Sequence, residues 1–214
     1  MRIAFVHTGA VVIPPVMALA GRLLPDAVAV NYLDDRIVAD LGDEQRAGSI
    51  PQRLHDLVHA AKAGGADLVM LTCSSISQYA APLAADAGIP VYRIDEAMAD
   101  AAVRIGPRIT VLATLATTCT PTAALIRERA ALAGTSPQIR SEVIDGAFAA
   151  VSSGDRAAHD RVVAAAIERA AGESDVIVLA QASMASAADA ANVDVPVLSS
   201  LVPGIERLRR LVAG

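Results

Sequence analysis

Tryptophan is absent from this 214-residue chain, and three tyrosines and two phenylalanines are its only aromatic residues. A core without large rings must be filled by Ala, Val, Leu and Ile, and a hydrophobic content of 54% supplies them. Cysteine is scarcer still, with two residues, which excludes a disulfide framework. Basic charge is not in excess: 18 Lys and Arg against 23 Asp and Glu leave a formal net charge of -5. Nothing in that balance draws the chain to nucleic acid or to an anionic membrane. No apolar run approaches the roughly 20 residues of a membrane span. At the N-terminus His7 interrupts the apolar run Ile3–Val6, which is too short for a signal-peptide core. A glycine-rich phosphate loop is lacking, so nucleotide binding has no support. These absences predict a soluble protein of the reducing cytoplasm with no nucleic-acid or membrane partner. The length allows one large domain or two small ones, and homo-oligomer formation stays open.

What is present is alternation. Short apolar runs at Ile3–Val6, Ala27–Asn31, Leu68–Leu71, Ile109–Leu112, Val176–Leu179 and Val195–Leu198 read as strands. Between them, Gln52–Lys62, Tyr79–Ala87 and Ala157–Ala171 carry apolar residues at helical spacing. The pattern predicts an α/β fold with mostly parallel sheets flanked by helices.

The two halves also match each other. "RIAFVHTGAVVIPPVMAL" from Arg2 lies without a gap on "RITVLATLATTCTPTAAL" from Arg108, pairing Thr8 with Thr114 and Pro15 with Pro121 at an offset of 106. "DLVMLTCSS" from Asp67 lies on "DVIVLAQAS" from Asp175 at an offset of 108, and Pro90 pairs with Pro196 at 106. Three segments in order, at nearly half the chain length, argue for a duplication. The expected organisation is two pseudo-symmetric Rossmann-like lobes with the site in the cleft between them. Residues 1–96 plus a C-terminal helix over 199–214 make the first lobe, and 97–198 the second. Ligands of open α/β sheets bind beyond the carboxyl ends of the strands. The segments of interest are therefore "HTG", "CSS", "ATLATTCT" and "QAS".

Cys73 follows its strand by two residues and precedes a helix expected to start near Ile76–Gln78. A thiol just before a helix feels the positive end of its dipole and the free N–H groups of its first turn, which favours thiolate. Burial in apolar surroundings opposes it, and a small buried hydrophobe is the usual fate of a free cysteine. The strand-end position tips the balance toward function.

"HTGAVVIPPV", "LTCSSIS", "VLATLATTCTPT" and "VLAQAS" together resemble the aspartate/glutamate/hydantoin racemase superfamily, which includes maleate cis–trans isomerases and arylmalonate decarboxylases. The resemblance implies two pseudo-symmetric α/β lobes, no cofactor, no metal and a small carboxylate substrate. In the racemases, one cysteine from each lobe flanks the α-carbon, one removing a proton and the other delivering one. Carried onto this chain, Cys73 is the first-lobe cysteine, followed by Ser74 and Ser75. Thr114, Thr117, Thr118 and Thr120 match the carboxylate-binding segment, and Ser183 is a further candidate contact. By position alone His7 ends the first strand beside Thr8, where it either hydrogen-bonds substrate or only closes the loop. The second cysteine falls on Gln181, whose carboxamide neither takes nor gives a proton at neutral pH. The function implied is a racemase- or isomerase-type enzyme using a cysteine thiolate at or next to the α-carbon. The alternatives are a single-cysteine decarboxylase of malonate-type acids and a carboxylate-binding protein without catalysis.

Three weaker signals remain. Cys119, inside "ATTCTPT", could stand in for the second thiol, but packing is the commoner role of such a residue. "HDLVH" spaces His55 and His59 at i, i+4 as zinc-binding helices do, yet the sequence offers no Glu after the first His and no evident third ligand. "PGIERLRRLVAG" reads as a basic amphipathic helix that packs back on the first lobe.

Overall fold

The computed structural model describes residues 1–213. The chain divides into two compact units, Met1–Ile94 together with the segment from Leu201 on, and Asp95–Ser200. The first unit runs β1 (Arg2–His7), α1 (Ile13–Leu23), β2 (Val28–Leu33), α2 (Ile37–Asp40), α3 (Ile50–Ala63), β3 (Leu68–Leu71), α4 (Ala80–Ala87) and β4 (Val91–Arg93). The second runs α5 (Glu96–Ile105), β5 (Arg108–Ala113), α6 (Ala116–Leu132), β6 (Gln138–Val143), α7 (Ala147–Ser152), α8 (Arg156–Ala171), β7 (Val176–Leu179), α9 (Ala185–Ala188) and β8 (Val197–Leu198). The last helix, α10 (Leu201–Ala213), packs on α1, with Gly204 so close to Ile94 that a Cβ there would meet the Ile94 carbonyl oxygen at 2.3 Å. Of the expected 199–214 helix, Ser199 and Ser200 precede its start, and Gly214 lies outside the described residues.

Each unit holds a four-stranded parallel sheet, ordered β2-β1-β3-β4 in one and β6-β5-β7-β8 in the other. The architecture is α/β throughout. The central strands are legible because both their faces are covered: Leu68–Leu71 and Val176–Leu179 are buried at every position. Against the first sheet pack Ile50, Leu54, Val58 and Ala61, the apolar stripe of α3 at helical spacing. Against the second pack Val163, Ala166, Ile167 and Ala170 of α8. Each fully buried Val, Leu or Ile contributes about 1.5–3 kcal/mol, and such residues carry a core with few rings.

Two elements escape the sequence reading. β6, QIRSEV, is an edge strand with no fully buried residue, so its apolar content does not announce it. β4 is three residues long, and β8 is two, shorter than the Val195–Leu198 expected. The sheets repeat down to their edges. The Asp67 carboxylate accepts from the backbone N–H of Arg2 (2.6 Å), and the Asp175 carboxylate accepts from that of Arg108 (2.9 Å). The reverse backbone bonds, Asp67 N–H to Arg2 O (2.9 Å) and Asp175 N–H to Arg108 O (2.8 Å), close the same ring in each unit. Among the described residues no helix is long and apolar enough to cross a membrane.

Candidate active site

In the first unit, the parallel register sets Val6 beside Leu71, so the next residues, His7 and Thr72, leave the sheet side by side. His7 Nδ1 lies 2.8 Å from the Thr72 hydroxyl and Nε2 lies 2.8 Å from Asn31 Oδ1. Burial pushes the imidazole below its usual range, opposed by the Asn31 bond, so the ring is neutral at pH 7. The Thr72 hydroxyl donates to the Val6 carbonyl (3.0 Å) while its oxygen also meets Nδ1. Both nitrogens are thus engaged within the unit, and the fully buried ring ties three strand ends together. Thr72 and Asn31 were not singled out from sequence; the position of Thr72 directly before Cys73 was the available signal.

Cys73 stands two residues beyond β3 in extended backbone (φ -126°, ψ 126°) and is partly exposed, with its inner side against the core of the unit. The helix expected from Ile76–Gln78 is instead a 3-10 turn over Ser74–Tyr79, with α4 following from Ala80. Serines 74, 75 and 77 disfavour a regular α-helical start because their hydroxyls compete for backbone groups. The Ser77 hydroxyl and the Ile76 N–H both reach the Cys73 carbonyl, at 3.5 and 3.2 Å. Ser74, Ser75 and Thr8 are buried.

In the second unit, "ATLATTCT" is mostly helix rather than loop. Leu115 is extended and its carbonyl accepts from the N–H groups of Thr118 (3.1 Å) and Cys119 (3.0 Å), which starts α6 at Ala116. Of the expected carboxylate binders, Thr114 and Thr118 are buried, Thr117 is partly exposed and Thr120 faces solvent. Thr117 and Thr118 thereby sit in the first turn of a 17-residue helix, at the positive end of its dipole. Cys119 is packed in the core, its thiol at 4.0 Å from the Glu142 carbonyl, and burial pushes it up from the ordinary thiol range.

Gln181 occupies the place of Cys73: two residues beyond β7, extended (φ -127°, ψ 138°), ahead of a 3-10 turn over Ala182–Met184. Its carboxamide is spanned by one residue. The Thr114 N–H donates to Gln181 Oε1 (2.7 Å), and Gln181 Nε2 donates to the Thr114 hydroxyl (2.6 Å). The Thr114 N–H is therefore taken while this bracket is closed, and its hydroxyl accepts. Ser183 is partly exposed, and its carbonyl accepts from Arg156 (2.8 Å). Both cysteines are free thiols.

The HDLVH histidines do find a third donor. Asp86, on α4, lies with its Oδ2 at 2.6 Å from His59 Nε2 and 3.2 Å from His55 Nε2. It was not visible from sequence because it comes from another helix, 27 residues after His59.

A sequence model of the Asp/Glu/Hydantoin racemase family matches residues 10–208. No curated protein sequence matches the chain. Among solved structures, a glutamate racemase isoform from Bacillus anthracis superposes with a TM-score of 0.77 at 16% identity, covering 99% of this chain and 81% of its own. Glutamate racemase from Aquifex pyrophilus gives 0.72 at 18% identity, covering 99% and 84%. Arylmalonate decarboxylase gives 0.63 at 21% identity, covering 100% and 93%. The structural likenesses fix the fold, and the family match spans nearly the whole length: this chain belongs to the Asp/Glu/hydantoin racemase family.

Proposed function

We propose that the protein is a cofactor-independent enzyme of the isomerase type found in this family, acting at or next to the α-carbon of a compact carboxylate with Cys73 as its one working thiol. The observation that carries this is the unequal fate of the two cysteines and of Gln181. Cys73 is partly exposed at a strand end, Cys119 is sealed in a core, and Gln181 is a carboxamide held by Thr114.

A single thiol supports chemistry on one face of the substrate. As acid, Cys73 gives its proton to an α-carbanion and recovers it from solvent. As nucleophile, the thiolate adds to an activated double bond, the new single bond rotates, and the thiolate leaves. A positioned acid or base gives only about 10²–10⁴ in rate. The rest must come from N–H and hydroxyl donors on the developing carboxylate charge, each worth roughly 3 kcal/mol. Each unit has such groups at its own strand end: Ser74 and Ser75 follow the thiol in the first, and Thr117 and Thr118 open α6 in the second.

Gln181 favours a second reading within the family, the decarboxylation of a malonate-type acid. There the carboxyl leaves as CO₂, its bonding electrons pass to the α-carbon, and one proton from Cys73 completes the product. This reaction needs no second acid. The structural likeness to arylmalonate decarboxylase agrees with it in fold.

The test is a screen of α-amino, α-hydroxy, malonate-type and maleate-type acids in D₂O by NMR. Turnover or α-exchange that labels a single enantiomer, and that disappears in Cys73→Ala, is the expected result. Label in both enantiomers overturns the one-thiol reading. Binding of acids without exchange, isomerization or CO₂ release identifies a carboxylate-binding protein instead.

A further inference from the structure

We infer that His55, His59 and Asp86 form a binding site for a divalent transition-metal ion that ties α3 to α4. The three side chains offer two imidazole nitrogens and a carboxylate oxygen, all within 4.8 Å of one another. In a tetrahedral zinc site, metal–ligand bonds of about 2.0–2.2 Å put donor atoms roughly 3.3 Å apart. His55 Nε2 and Asp86 Oδ2 already stand at 3.2 Å, and His59 Nε2 at 2.6 Å from the same oxygen needs a small opening. The two rings are stacked with centroids 4.1 Å apart, so their Nε2 edges are presented together from consecutive turns of α3.

A second feature points to a cation. Asp56 Oδ1 lies 3.1 Å from His55 Nδ1 and also accepts from Gln52 Nε2 at 2.9 Å. Gln52 Nε2 stands 3.3 Å from the same Nδ1, so a carboxylate and an amide hold the outer edge of the His55 ring while its Nε2 faces Asp86 at 3.2 Å. Carboxylate–histidine–metal relays have this arrangement, with the outer carboxylate fixing the tautomer. His59 donates to Asp86 in the metal-free protein, and on binding that proton moves to Nδ1 or to solvent.

Imidazole with one carboxylate suits Zn²⁺, Co²⁺, Ni²⁺ or Cu²⁺ rather than Mg²⁺ or Ca²⁺. Three protein donors leave a fourth position to water. α4 starts beyond the carboxyl end of β3 and runs back toward the start of β4, so Asp86 on its last turn is at the opposite end of that sheet from Cys73. The ion would therefore be a clamp on the helix that follows the Cys73 turn, outside the chemistry.

Binding is measured by titrating the whole protein with Zn²⁺ and with Mg²⁺, by calorimetry and by melting temperature, in a Cys73→Ser background that removes the exposed thiol. One Zn²⁺ per chain is expected, with a rise of roughly 5–10 °C in melting temperature at a hundredfold excess over the dissociation constant. No shift is expected with Mg²⁺. His59→Ala and Asp86→Asn should each weaken Zn²⁺ at least about tenfold, and Asp56→Ala about tenfold through the tautomer alone. The site is overturned by the absence of Zn²⁺ binding, by equal response to Mg²⁺, or by Zn²⁺ affinity that survives both His59→Ala and Asp86→Asn.

Discussion

Cys73 and Gln181 each sit two residues beyond a fully buried four-residue strand, with backbone angles of (-126°, 126°) and (-127°, 138°). Each carbonyl accepts from the N–H three residues on, Ile76 at 3.2 Å and Met184 at 3.0 Å. From the same backbone the two units reach opposite ends. In the first, the neighbouring strand end carries His7, whose ring is satisfied by Asn31 and Thr72, and the thiol is left partly exposed. In the second, the residue matching His7 is Ala113, and the Gln181 carboxamide accepts from the Thr114 N–H and donates to its hydroxyl. Two units of matching backbone thus carry a partly exposed thiol in one and an internally hydrogen-bonded carboxamide in the other.

The comparison breaks most sharply at Cys73. Cys73→Ala should lower turnover at least about 100-fold on whichever acid is found, whereas Cys119→Ala should leave it within about twofold. Comparable losses from both variants would show that the buried thiol takes part. Iodoacetamide should follow the same order, alkylating Cys73 at least about ten times faster than Cys119 in the folded protein, with a carboxylate ligand protecting Cys73.

A thiol can also be put back. Gln181→Cys opens the Thr114 bracket and installs sulfur on the backbone that Cys73 already uses. Mass mapping after alkylation should find two fast-reacting thiols where the parent has one. If the introduced thiol is as slow as Cys119, the two strand ends are not equivalent and the duplication reading fails at the site.

Much of this was legible. β3 and β7 read directly because burial on both faces demands continuous apolar runs, and the Arg2–Asp67 and Arg108–Asp175 rings survive as matched letters in the repeat. β6 did not read, since an edge strand whose pattern is QIRSEV has no face that burial forces to be apolar. Thr114 read as a free donor because its partner, Gln181, is 67 residues away, and a contact set by a side-chain rotamer leaves no local trace. Asp86 was missed for the same reason. Cys119 was weighed as a loop residue, but Leu115 begins a helix that turns it inward.

Removing the bracket should cost stability, in an order that reverses the one expected in activity. Gln181→Ala removes two hydrogen bonds and leaves the N–H of a buried threonine without its partner, a loss of about 1–2 kcal/mol in urea unfolding. Thr114→Val keeps the N–H bond and should lose about 1 kcal/mol. Cys73→Ala, which trims a partly exposed side chain at the edge of the core, should cost less than either. A Gln181→Ala protein as stable as the parent would mean that water replaces the carboxamide freely and that the bracket holds nothing.

The smallest effect concerns His7, the ionisable group that the first unit has and the second lacks at the matching position. Burial lowers its folded-state value below the roughly 6.5 of an unfolded imidazole. Between those two values the unfolded chain binds a proton that the folded chain refuses, so stability rises with pH across that window. The contribution is fully present above about pH 6.5 and is lost as the pH falls toward the folded-state value. His7→Gln can still hydrogen-bond but cannot titrate. It should be less stable than the parent at pH 7.5, and the gap should narrow as the pH is lowered to 5.5. Other groups titrate alike in both proteins and cancel in the difference. A constant gap would show that folding leaves the ring's proton affinity unchanged, and a gap that widens on acidification that folding favours the protonated ring.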